Sequence, residues 1–183
     1  MRIYSLALIL ILMGCSSLNL PGTVKEKSSK QQLQQKKIFA KSNPEISCPK
    51  GSASQLNGFF QWYLKSQTNY RDTFNSQAKR FENRLFETLR QVFKIPEGSD
   101  GGLDFDPFSG SQLKSFGYWL GGCRHDIQGS LIARLAIHSG PTRPLSRWLI
   151  VDYVMSPIGR NWIITNIRYP DKNNKSLIEL LEQ

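Results

Sequence analysis

Four groupings in this 183-residue chain hold side chains able to do chemistry. Cys123-Arg124-His125-Asp126 sets a nucleophile, a base and an acid side by side. Adjacent residues of an extended strand point to opposite faces, whereas a catalytic triad needs convergent groups, so the run is not read as an active centre. Glu97, Asp100, Asp104 and Asp106 place four carboxylates within ten residues. Such oxygen ligands suit Ca²⁺, but the spacing lacks the Gly at six and Glu at twelve of the EF-hand loop. Turn chemistry explains it more simply, with Asp106 as a helix N-cap and Pro107 at the first helical position. His125 and His138 are the only histidines, too few for a His-based metal site without several carboxylates. Asp152 lies inside an apolar run between Val151 and Tyr153. It reads either as a general base facing a pocket or as a carboxylate paired with Arg134, Arg147 or Arg168. No phosphate-binding loop, zincin motif or nucleophile elbow is present, so no catalytic residue, metal or cofactor is assigned.

The three cysteines divide by position. Cys15 follows Arg2, the apolar run Leu6–Met13 and Gly14. A charged start, a short hydrophobic stretch and a small residue before the cut make a secretory signal. The run is about ten residues, too short to span a bilayer. Leu12-Met13-Gly14-Cys15 resembles the bacterial lipobox, which implies diacylglycerol and palmitate-type acylation of Cys15 after residues 1–14 are removed. Two or three acyl chains hold a protein firmly to membrane. Ser16 stands where enterobacterial inner-membrane lipoproteins carry Asp, so the outer membrane is the expected site if the source has one. Cys48 and Cys123 then remain as an even pair in an oxidising compartment, and a disulfide between them is expected from that arithmetic. It would close a 75-residue loop, worth roughly 4–5 kcal/mol on the chain-entropy model.

Residues 15–50 read as a lipid-anchored, basic, flexible tether. Ser28 to Lys37 has almost nothing to bury. Lys25, Lys27, Lys30, Lys36, Lys37, Lys41 and Lys50 face only Glu26 and Glu45, so the segment holds +5 of the formal +10. Arg2 leaves with the signal, and residues 51–183 carry 16 basic and 12 acidic residues, +4. Thirty-five flexible residues have an r.m.s. span of roughly 30–35 Å. A charge placed this way suits an anionic membrane or wall surface. Nucleic acid is not expected as a partner, because no zinc finger, helix-turn-helix or aromatic–basic sheet motif accompanies the charge.

The elements that must position these groups follow from periodicity in residues 51–183. Leu56, Phe59, Phe60, Tyr63 and Leu64 predict a helix over about Ser54–Ser66. Phe74, Ala78, Phe81, Leu85, Leu89 and Val92 predict a second, ending at Lys94 before Pro96. Pro96 to Gly110 reads as loop, and Gly121-Gly122-Cys123 as a turn. Leu131–His138, Leu145–Val154 and Arg160–Tyr169 predict three strands of an antiparallel meander, joined through Gly140–Pro144 and Ser156–Gly159. Ser176–Glu182 suits a last helical turn or short strand. The expected class is α+β, with N-terminal helices packed on one face of a curved antiparallel sheet.

Phe60-Gln61-Trp62-Tyr63-Leu64, Leu103-Asp104-Phe105-Asp106-Pro107-Phe108 with Gln112, Trp162 through Pro170, and Ser176-Leu177 together resemble one family. It is an uncharacterised family of bacterial periplasmic proteins and lipoproteins with a cystatin-like cone related to nuclear transport factor two. The likeness covers about residues 54–183, and Asp-x-Asp-Pro-Phe is its most specific element. It implies a helix-wrapped curved sheet with a pocket and no general activity. Some relatives are immunity proteins that block cell-wall amidase effectors of type VI secretion. The expected function is a non-catalytic binding or interaction module at the bacterial cell envelope, its domain facing the periplasm or exterior. Its ligand would be a protein partner or a cell-wall fragment, and an effector-immunity inhibitor is one version. The alternative is a small hydrolase or isomerase using the cone as a pocket, with Asp152 or His138 as base.

Overall fold

The computed structural model describes residues 46–96, 99, 102–141 and 147–182. Cys15, the signal and the tether to residue 45 lie outside the described residues, as do Glu97 and Asp100. Ile46 already bridges to the sheet, through paired backbone hydrogen bonds of 2.9 Å with Cys123. Helix α1 (Lys50–Lys65) follows, burying Leu56, Phe59, Phe60 and Tyr63 along the stripe that the spacing predicts. A short helix α2 (Tyr70–Thr73) runs into a 3-10 segment (Phe74–Arg80), and helix α3 spans Asn83–Lys94.

The second helix expected from Phe74 to Lys94 is thus broken in two. Phe81 is extended (φ −116°, ψ 149°) and bridges Ile164 of the sheet, while the Glu82 N–H donates to the Ile164 carbonyl at 2.8 Å. Glu82 then caps α3, its carboxylate accepting from the Leu85 N–H at 3.1 Å. Ala78, a position of the expected apolar stripe, is exposed, and Gln77 is buried in its place. Tertiary pairing has overridden a helical period.

The sheet is a five-stranded antiparallel meander in chain order: β1 (Ser115–His125), β2 (Leu131–Ser139), β3 (Arg147–Ile158), β4 (Asn161–Tyr169) and β5 (Lys175–Ser176). Helix α4 (Leu177–Leu181) follows, opened by a Ser176–Glu179 capping box. The α+β class is therefore shown, as helices with an open antiparallel sheet. Two expectations fail. Gly121-Gly122-Cys123 is not a turn but part of β1, where a register shift between Leu120 and Gly122 marks a bulge. Ser156–Gly159 is not a connection, since Ser156, Pro157 and Ile158 pair with Ile163, Trp162 and Asn161. The reversal is confined to Gly159 (φ +59°) and Arg160.

Register sorts the sheet's two faces. Leu131, Ala133, Leu135 and Ile137 of β2 join Leu120 and Cys123 of β1 and Val151, Tyr153 and Met155 of β3 against the helices. The opposite face carries Trp119, Arg134, His138, Trp148 and Asp152. Phe108 is the hub of the helix–sheet core. Its ring centroid lies 5.0 Å from Phe59, 5.5 Å from Tyr63 and Tyr70, 5.7 Å from Phe74 and 5.9 Å from Phe93. Among the described residues, no helix is long and apolar enough to cross a membrane.

Candidate functional site

The Asp-x-Asp-Pro-Phe segment forms a tight turn fixed from both sides. The Asp106 carboxylate accepts from the N–H groups of Phe108 (2.8 Å) and Ser109 (3.1 Å), and its carbonyl accepts from Gly110 (2.8 Å). Asp106 does serve as the cap, but no helix follows it; the segment is one turn ending at Gly110. Gly110 has φ +70°, and a Cβ there would approach Tyr169 to 3.2 Å, so a side chain is disfavoured twice. From the sheet, the buried Tyr153 hydroxyl donates to the Phe108 carbonyl at 2.7 Å, and Tyr169 donates to the Pro107 carbonyl at 2.6 Å. Ser109 and Ser111, both buried, accept from the N–H groups of Ser111 (3.2 Å) and Leu113 (2.9 Å). Every one of these bonds satisfies a backbone group that would otherwise be stranded away from water.

Asp104, Phe105 and Asp106 of this segment, with Ser111 just beyond the turn, form one wall of a cleft of about 630 Å³. The other walls are the C-terminal turn of α1, the α1–α2 connection and the approach to β1, with Tyr63, Gln67, Tyr70, Arg71, Gln112 and Lys114 among the lining residues. Gln67 ties two walls together. Its amide accepts from the Ser115 N–H at 3.0 Å and donates to the Ser115 carbonyl, as a neighbouring strand would. Tyr63 and Ser115 share a hydroxyl hydrogen bond of 3.2 Å.

Electrostatics in the cleft centre on Asp106. Burial pushes its carboxyl above the ordinary carboxylate value, against the stabilising N–H groups of Phe108 and Ser109 and the phenols of Tyr70 and Tyr63. Burial also raises Tyr63 and Tyr70, and the Asp106 charge adds to both. Both phenols therefore stay protonated as donors through the physiological range. Arg71 and Lys114 supply positive charge among the same lining residues, and Asp104 negative charge. A concave site with rigid backbone, fixed hydrogen-bond donors and mixed charge can bind a polar ligand in one orientation.

The other candidates fall elsewhere. The Cys48 and Cys123 sulfurs lie 2.11 Å apart, disulfide bonding distance, with Cα atoms 4.9 Å apart. His125 ends β1 and is exposed, 3.3 Å from the Gly129 carbonyl, and Asp126 accepts from the N–H groups of Gln128 and Ser130, each at 2.9 Å. The Cys-Arg-His-Asp run is thus a disulfide, an ion pair and a capped hairpin turn.

Asp152 is 1% exposed and bound by two guanidinium groups. Arg134 takes it bidentately at 2.8 and 2.9 Å, and Arg124 adds a third bond at 2.9 Å. Of the three arginines considered for it, Arg134 makes the pair, whereas Arg147 stands at the far start of β3; Arg168 is opposite in register. Arg124 had no sequence signal, since the β1 bulge decides which face it takes. His138 stacks on Trp148 at 5.0 Å, and Trp148 precedes Asp152 by four strand residues, about 13 Å. These two candidate bases therefore share neither a site with each other nor the cleft.

Of the four clustered carboxylates, Asp104 and Asp106 both line the cleft. Among the described residues, no group of three metal-ligand types comes together. Comparison with protein-family models, with curated proteins and with solved structures gives no match to this chain.

Proposed function

We propose that this protein is a cell-envelope lipoprotein, acylated at Cys15, whose α+β domain is a non-catalytic binding module. Its ligand, a protein segment or a cell-wall fragment, would enter the cleft beside Asp106. The observation that carries this reading is the cleft wall at Asp104–Asp106, fixed by the turn that follows it, whose Pro107 and Phe108 carbonyls are held by Tyr169 and Tyr153. The lipobox resemblance of Leu12–Cys15 supports the address. Helices followed by an antiparallel meander are consistent with a cystatin-like cone, and inhibition of an envelope-targeted effector is one function such a module could serve. Capture from an envelope extract tests it with the full chain and a Lys114→Glu variant, whose charge reversal sits on an exposed cleft residue. The reading expects a stoichiometric ligand on the wild type that the variant loses. Retention by both would place binding elsewhere.

One observation favours a second reading, a small hydrolase or isomerase. The phenols of Tyr63 and Tyr70, kept protonated by burial, line the same cleft as the Asp104 carboxylate, so donors for developing negative charge and a candidate base share one site. Turnover of model esters or enolisable ketones that vanishes in Asp104→Asn would establish it.

A further inference from the structure

The hairpin-turn end of the sheet concentrates exposed apolar side chains. Among the described residues, four large hydrophobics are exposed, and three of them lie at this end: Ile127 (103%), Ile158 (56%) and Ile46 (50%). Ile127 tips the β1–β2 turn and Ile158 ends β3 at the β3–β4 turn. The two turns are neighbours because Leu131, at the start of β2, pairs with Met155 near the end of β3. Ile46 reaches the same end through its bridge to Cys123, two residues before β1 finishes.

Exposed isoleucines at turn tips are poorly suited to water and well suited to an acyl boundary. Their surroundings match that environment. Lys50 and Arg160 are exposed at this end, and the Asp126 carboxylate in the β1–β2 turn accepts from two backbone N–H groups. Trp162, opposite Pro157 in register, is half-buried with its indole against the first turn of α1. Isolated apolar tips with flanking cations are the pattern of a surface that rests on anionic lipid.

The covalent path points to the same end. Residues 16–45, the proposed tether, join the described residues at Ile46, and Cys48 fixes that point to Cys123. The cleft is built at the other end, from the last turn of α1 and the start of β1. We infer that Ile127, Ile158 and Ile46 form a membrane-docking face for an anionic phospholipid surface, so that the cleft opens away from the bilayer. The inference rests on the proposed anchor at Cys15.

The test uses the full lipoprotein reconstituted in phosphatidylglycerol–phosphatidylethanolamine vesicles. Single Ile127→Cys and Gln112→Cys variants, the second at the cleft end, carry an environment-sensitive dye, and some vesicles contain nitroxide-labelled lipid. Expected is a blue shift and loss of most dye emission at position 127, with emission at position 112 unaffected. Flotation with the vesicles and an unquenched dye at position 127 would overturn the docking face while leaving the anchor intact. Failure to float would overturn the anchor at Cys15 and this inference with it.

Discussion

At the scale of single residues, Asp106 and Asp152 show how differently two desolvated carboxylates can be held. Asp106 has its carboxyl raised by burial, so the folded state takes up its proton more readily than the unfolded chain. Its contribution to stability is fully present below the ordinary Asp value, about pH 4, and is lost as pH rises through the raised folded value. Asp106→Asn keeps an oxygen to accept from Phe108 and Ser109 but removes the charge. Denaturant unfolding should find this variant matching the wild type in acid and more stable at neutral pH. A variant less stable at neutral pH would mean that the charge itself holds the turn. Asp152, by contrast, counterbalances Arg134 and Arg124, whose side chains are 15% and 26% exposed. Asp152→Asn leaves two largely buried cations uncompensated and should cost about 3 kcal/mol of unfolding free energy. Ligand capture should not change, because Asp152 lies on the face opposite the helices; lost capture in a folded variant would contradict that placement.

At the scale of elements, what could be read in the chain depended on whether a pattern was local. The stripe Leu56-Phe59-Phe60-Tyr63 gave α1, and alternation gave β2, because one face of each meets the core. Strand β1 was hidden because Gly117, Gly121 and Gly122 dilute its alternation and the bulge shifts its phase. The break at Phe81 was hidden too, since its cause is a long-range bridge to Ile164. The cleft was half legible. Asp104 and Asp106 stood out as carboxylates, whereas Tyr63 and Tyr70 carry no mark separating a cleft wall from a core, and Gln67 gains its role only by meeting Ser115. The Cys48–Cys123 pair was legible by counting. That it clips the segment before the helix onto Gly121-Gly122-Cys123 followed from the same pairing; that this run is an edge strand and not a turn did not. Cys48→Ser should lower unfolding free energy by up to about 4 kcal/mol, and should raise amide exchange at residues 46–49 above that of α1. Unchanged stability and exchange would show that the backbone bridge at Ile46 holds the segment alone.

At the scale of the whole molecule, the charge and the architecture describe a direction. Of the formal +10, Arg2 holds one, residues 16–45 four and residues 46–183 five, so the basic charge is densest in the segment ahead of Ile46. The segment joins at the hairpin-turn end, and the cleft is built at the opposite one. A binding module arranged in this way would be held by one end and offer the other to the periplasm or the exterior. The central claim is that the cleft beside Asp106 receives the ligand, and hydrogen exchange read peptide by peptide tests it most directly. Adding a cell-envelope extract to the protein should slow exchange in residues 66–71 and 102–114, with the outer sheet face around Trp119 and Trp148 unaltered. Protection confined to that outer face, or none anywhere, would contradict the account.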